Sequence, residues 1–275
     1  MTSVSSQYLD KCRAIIDVVE AQQNLIEQAA QLFAHTILAG RMVHVFGSGH
    51  SRIMVEEMWP RYGSFPGFNP IVELSLSFHN LVVGANGQRQ AMFLENVSGL
   101  APRILRNFEL SNEDCALIIS SSGCNVVPIE MAEEFQKQGV KVVSIISLAH
   151  SEASTSKRAD GKKLQDFSDI VLDTGAPPGD AMVSIEGLQA PDGRSTPVAP
   201  GSTVGGCLLV NSLKAQTAQL LTQAGRPPKV LTGAALVGSE QATELFEAAY
   251  DEHAHRLSRL YKSVGIGSYV SDGEV

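Results

Sequence analysis

Apolar residues recur at helical spacing through the first forty positions: Ile15, Val18, Val19, Ile26, Ala29, Ala30, Phe33 and Ile37. Asp10, Glu20, Gln23 and Glu27 fall mostly on the other face. The pattern predicts one long helix, or a broken pair, over 7–39, ended by Gly40. From there the period changes. Short, predominantly apolar runs follow at Met42-Val43-His44-Val45-Phe46, near 70–74, at Cys115-Ala116-Leu117-Ile118-Ile119, at 140–146 and at Ile170-Val171-Leu172. Helical stretches at 51–59, 88–107 and 126–138 alternate with them, and Gly139 stands between helix and strand, where a C-terminal cap belongs. Strands without a polar face are covered on both sides, so the alternation predicts an α/β fold with helices on both faces of a parallel sheet.

Residues 147–200 break the rhythm. Ser151 to Asp166 is polar and loop-like, Gly175-Ala176-Pro177-Pro178-Gly179 is a turn, and a hairpin is expected with arms near 181–186 and 194–198 around Pro191-Asp192-Gly193. A helix over 202–224 follows, then a loop-rich stretch at 225–238. An amphipathic helix over 239–261 comes next, with Ser239 as its candidate cap, and the last dozen residues read as a frayed tail. The division is an N-terminal helical segment at 1–40 that packs on the sheet or on a partner subunit, an α/β unit at 41–225, and a C-terminal helical arm and tail at 226–275.

Composition narrows the classes. The 275 residues are 44% hydrophobic and 18% charged, and 21 basic against 29 acidic side chains give a net charge of −8. This balance argues against a general nucleic-acid or anionic-membrane surface, and a phosphate site would have to rely on local dipoles rather than bulk charge. No secretion signal, no transmembrane run and no CxxC among Cys12, Cys115, Cys124 and Cys207 are found, so a cytoplasmic protein with reduced thiols is expected.

The candidate chemistry lies in two loops, each after a strand and each opening a helix: Gly47-Ser48-Gly49-His50-Ser51 and Ser120-Ser121-Ser122-Gly123-Cys124-Asn125. Glycine and hydroxyl residues at a helix start gather amide and hydroxyl donors in one place, which favours an anion. Ligands of parallel sheets bind beyond the carboxyl ends of the strands, where both loops fall. Arg52 stands where a dinucleotide fingerprint needs its third glycine, no lysine follows as in a nucleotide P-loop, and the G-x-S-x-G spacing of a hydrolase is missing. One such loop is ordinary turn chemistry; a matched pair points to a phosphate or phosphosugar.

Here the sequence resembles the sugar isomerase (SIS) domain family, whose members carry a G-x-G-x-S loop after the first strand and an S-x-S-G-x-T loop after a later one. Gly47, Gly49 and Ser51 match the first. Ser120, Ser122 and Gly123 match the second, with Asn125 in place of threonine. The likeness runs over roughly 8–224 and is closest to single-domain members of unassigned activity. Val127-Pro128-Ile129-Glu130-Met131-Ala132, Ser147-Leu148-Ala149-His150-Ser151 and Gly175-Ala176-Pro177-Pro178-Gly179-Asp180-Ala181 carry that closeness with the first loop. The resemblance implies a flavodoxin-like five-stranded parallel sheet, a homodimer or homotetramer, and a small-molecule phosphosugar held by Gly47, Ser48, Gly49, His50, Ser51, Ser120, Ser121, Ser122, Gly123 and Asn125. It also implies that Ser202 and Thr203, at the start of the helix after Gly201, approach the sugar; on its own that helix start reads as a further anion-favouring N-terminus.

Aldose–ketose isomerisation needs a base and a second proton carrier. Glu95 is the candidate base, since a related ether lyase of the family places a catalytic glutamate in a similar stretch; it reads equally as a solvated helix acid. His79 is a candidate acid, base or ring opener, or a surface-loop histidine. His253 and His255, about 200° apart on their helix, cannot share one metal ion, but His253 could enter a neighbouring subunit's site. His44 reads as a core residue, and Cys124 occupies the variable position of its loop. No metal site and no redox cofactor are expected. The leading expectation is a sugar-phosphate isomerase, with a sugar-phosphate ether lyase or a non-catalytic sensor as alternatives.

Overall fold

The computed structural model of the chain describes residues 3–77, 85 and 87–261. The apolar runs form five parallel strands: β1 (Val43–Gly47), β2 (Phe68–Ile71), β3 (Cys115–Ile119), β4 (Lys141–Ile146) and β5 (Ile170–Asp173), in the order β2-β1-β3-β4-β5. That is the flavodoxin-like order. β6 (Ala181–Val183) and β7 (Val198–Pro200) make a separate antiparallel pair. The helices are α1 (Val4–Glu20), α2 (Gln23–Leu38), α3 (Arg52–Met58), α4 (Leu74–Ser77), α5 (Gln88–Leu94) and α6 (Leu100–Leu105), then α7 (Val126–Lys137), α8 (Leu148–Glu152), α9 (Ser202–Gln223), α10 (Ala234–Val237) and α11 (Ser239–Leu260). None of the described helices is long and apolar enough to cross a membrane.

Every residue of β1 and β3 is buried, and alternate side chains feed two separate cores. Val43, Val45, Leu117, Ile119, Val143 and Ile145 join Phe33 of α2, Met54 of α3 and Leu209 and Leu213 of α9. Phe46, Ala116, Ile118 and Val142 join Ile104 of α6 and Phe135 of α7. Helices therefore cover both faces. His44, mid-strand, is fully buried with its ring stacked on Phe135 at 5.4 Å and its Nδ1 paired with Asn69, a core role. α9 lies so close to the end of β5 that a Cβ on Gly205 would stand 2.0 Å from the Thr174 carbonyl oxygen.

The N-terminal stretch takes the second of its two expected forms, a pair of helices broken at Ala21-Gln22, where the Gln22 side chain donates to the Asp173 carbonyl and accepts from the Asp173 amide at 2.8 and 2.7 Å. Several other expected boundaries differ. The stretch 88–107 is two helices rather than one. Gly99 sits in the left-handed region at φ 85, and its amide, with the Ser98 hydroxyl, is claimed by the Glu130 carboxylate of α7. The strand expected near 70–74 ends at Ile71, and α4 starts at Leu74. The hairpin arms are three residues each, with one further bridge between Gln189 and Ser195. Ser239 does not cap α11: Gly238 holds that position, and Ser239 is the first helical residue. The tail expected beyond 263 lies outside the described residues.

Candidate functional site

β1 and β3 are adjacent hydrogen-bonded strands with Gly47 beside Ile119, yet the chain leaves β1 toward β2 and β3 toward β4. The two loops therefore part at the sheet's topological switch point, where a crevice opens. A cavity of about 690 Å³ lies there, and its wall includes Ser48, Gly49, His50 and Ser51 of the first loop and Ser120, Ser121, Ser122, Cys124 and Asn125 of the second. Ser202 and Thr203, opening α9, stand in the same wall. The expected residues are thus gathered from three distant stretches of chain, with Gly47 and Gly123 shaping the loops from behind.

The second loop is held by its own hydroxyls and by a neighbouring segment. Ser120 Oγ accepts from the Gly123 amide and Ser122 Oγ from the Cys124 amide, both at 3.2 Å. A hydroxyl that accepts still has its own O–H to give. The amides of Ser147, Lys157 and Leu164 donate to the carbonyls of Ser121, Cys124 and Gly123 at 2.9, 2.8 and 2.8 Å. The loop is thereby fixed against the segment 147–164. Among the described residues, the amides of Ser121 and Ser122 have no partner within the protein. Hydroxyl and amide donors in the cavity wall are the equipment of an anion nest.

Glu95, the residue after α5, joins the loops. Its carbonyl accepts from the Val127 amide at 2.8 Å, and its carboxylate accepts from the Asn125 side-chain amide. Only 8% exposed, it lines the cavity. Burial pushes its carboxyl above the usual carboxylate range, against the opposing pull of hydrogen bonds from Asn125 and Ser48. It is not a solvated helix acid. Asn125 serves this carboxylate with its amide nitrogen and reaches the cavity as well.

The histidines divide. His50 is exposed in the cavity wall, and His150, which had not been singled out, is in it too, with Nδ1 3.4 Å from Ser121 Oγ. His79 lies outside the described residues. His253 is not in the wall: its ring packs on Trp59 at 5.0 Å, its Nδ1 is buried without a hydrogen bond, and burial, helped by Arg256, pulls its pKa down. Cys124 is buried with its sulfur toward the Ser122 carbonyl. No group of three or more metal-ligating side chains is found among the described residues.

Two charged residues of the wall escaped the sequence reading. Asp180, in the left-handed region at φ 70, turns its carboxylate onto the start of α9. It accepts from the amides of Gly201 and Ser202 at 3.1 and 2.7 Å and from the Ser202 hydroxyl at 2.8 Å. The N-terminus of α9, read as anion-favouring, is already occupied by the protein's own carboxylate. The available signal was an aspartate beside Gly179, a residue type that tolerates that backbone region. Lys157 is the other, a cation on the segment tied to Cys124.

A SIS domain family model matches residues 7–147. Two UPF0309 proteins of Halalkalibacterium halodurans are 34% and 29% identical to the chain, over 86% and 92% of it and 95% and 97% of their own lengths. Among solved structures, a phosphoheptose isomerase from Francisella tularensis superposes with a TM-score of 0.48 at 16% identity, covering 80% of this chain and all of that one. The Vibrio vulnificus NanR protein complexed with ManNAc-6P superposes at 0.41 with 15% identity, over 78% of this chain and 63% of that one.

Proposed function

The chain belongs to the SIS domain family, and from that premise we propose that it binds a sugar phosphate in the switch-point cavity and interconverts its aldose and ketose forms. The observation that carries this reading is the buried Glu95 carboxyl, tied to both serine loops in the wall of one cavity. A phosphate on the second loop takes the hydroxyls of Ser120 and Ser122 and the amides of Ser121 and Ser122. Ser48, Ser51 and Asn125 close the other side, and Ser202 and Thr203 face the sugar.

The reaction moves one proton between neighbouring carbons. Glu95 takes the proton from the carbon next to the carbonyl, the electron pair forms the enediolate double bond, and the same carboxyl returns the proton to the adjacent carbon. A carboxyl raised toward neutrality by burial is better matched to that transfer than an exposed one. The transfer of the proton between the two oxygens falls to a histidine, and His50 and His150 both line the wall.

Incubation with hexose and N-acetylhexosamine 6-phosphates in heavy water tests the reading. Deuterium at C1 or C2 of a bound sugar phosphate is the expected result. Binding without label would overturn the isomerase and leave a sensor, and release of lactate from a muramic acid phosphate would point to the ether lyase instead.

A further inference from the structure

The segment 157–163 carries four cations, and the structure disposes of three of them away from the cavity. Arg158 pairs with Glu133 and Asp160, both at 2.7 Å. Lys162 lies over the Phe167 ring at 5.2 Å, and Lys163 donates to the Ser151 carbonyl. Lys157 makes no ion pair among the described residues, and it lines the cavity. Its position is not that of a loose surface lysine: its own amide donates to the Cys124 carbonyl at 2.8 Å, which fastens its backbone to the second serine loop. The pairing of Arg158 with Glu133 anchors the next residue to α7.

The charges in the wall are few. Among the described wall residues, Glu95 and Asp180 are the acids and Lys157 is the one lysine or arginine. Hydroxyls and amides can satisfy the oxygens of a phosphate, but they do not neutralise its charge of nearly −2. In a chain with a net charge of −8, a full counter-charge at the loop matters more than it would in a basic protein. Asp180 already holds the N-terminus of α9, so a phosphate at that wall would meet a carboxylate instead of free amides.

We infer that Lys157 is the counter-ion of the phosphate. It fixes the ligand's orientation, with the phosphate against the second loop and the sugar hydroxyls toward Asp180 and Ser202, and it makes the site selective for dianionic esters over neutral sugars. This rests on the proposed anion site, and the experiment separates the two.

Inorganic phosphate is titrated calorimetrically, at low and high salt, into the wild type and the Lys157→Gln, Lys157→Arg and Ser122→Ala variants. Lys157→Gln is expected to weaken phosphate binding about tenfold at low salt, the effect of losing one charge-assisted contact. It should also flatten the salt dependence, while Lys157→Arg stays within a few-fold of wild type. Lys157 is exposed and without a side-chain partner, so unchanged melting of these variants will show that the fold is intact. Wild-type affinity in Lys157→Gln, alongside weakened binding in Ser122→Ala, would overturn the role of Lys157 and leave the serine nest standing. No phosphate binding by the wild type would remove the anion site and this inference with it.

Discussion

The side-chain amide of Asn125 donates to the carboxylate of Glu95 across thirty positions of sequence. One residue closes the second serine loop, the other follows α5, and the bond between them holds a carboxyl group of raised pKa in the cavity wall. A phosphate nest alone would describe a binding protein. On the proposed reading, the buried carboxyl beside it moves a proton on whatever the phosphate anchors.

Replacing Glu95 by glutamine should separate these two functions. Label exchange from heavy water is expected to fall about 10²- to 10⁴-fold, the usual contribution of a positioned base. The dissociation constant for the sugar phosphate should move by no more than a few-fold. Equal loss of affinity and turnover would make Glu95 a binding residue instead.

The same substitution has a stability signature. A carboxyl whose folded pKa lies above its unfolded one keeps its proton to higher pH in the folded state. Its contribution to stability is complete below the unfolded pKa and is lost as pH rises through the folded one. Glu95→Gln should therefore raise Tm relative to wild type more at pH 8 than at pH 4. Calorimetric scans showing the same difference at both pH values would contradict the burial of charge at this position.

Asn125→Ala removes a donor that favours the ionised form of Glu95. The acidic limb of the exchange rate against pH is expected to move upward, with less effect on phosphate affinity than Ser122→Ala. An unshifted profile would mean that Asn125 does not act through Glu95.

His253 lends itself to a different measurement. Burial against Trp59 holds its pKa down, so its stabilising contribution is present above about pH 6.5, the ordinary histidine value, and is lost as pH falls through the depressed folded value. His253→Leu should flatten the fall of Tm on that acid side. A variant as acid-sensitive as wild type would place the titration elsewhere.

The approach of α9 to β5 leaves no room at Gly205. Gly205→Ala should destabilise the fold by on the order of 3 kcal/mol or more, since the colliding atom is backbone and cannot rotate away. Denaturant unfolding measures this; a loss below about 1 kcal/mol would show that α9 can shift as a unit.

The sheet was legible because β3 is apolar at every position and β1 at all but His44, and their loops carry glycine and serine at the strand ends. Long-range contacts were not. Ser98-Gly99 and Pro102 are a local sign of a break within 88–107, but what fixes it, Glu130 reaching back from α7, lies outside that stretch. Lys157 reads as part of a polar loop until its amide is seen bonded to the Cys124 carbonyl. Asp180 is one more turn aspartate until its carboxylate is found on the first amides of α9, more than twenty residues later. In each case the deciding partner lies on another element, so the register of the fold had to be known first.

A crystal structure grown with a hexose 6-phosphate will show whether the two loops and Glu95 form one phosphosugar site. The phosphate should lie on the second loop within hydrogen-bonding distance of Ser120 and Ser122, with C1 and C2 of the sugar against the Glu95 carboxyl. A phosphate bound outside the switch-point cavity, or a sugar whose C1 and C2 are turned away from Glu95, would contradict that assignment.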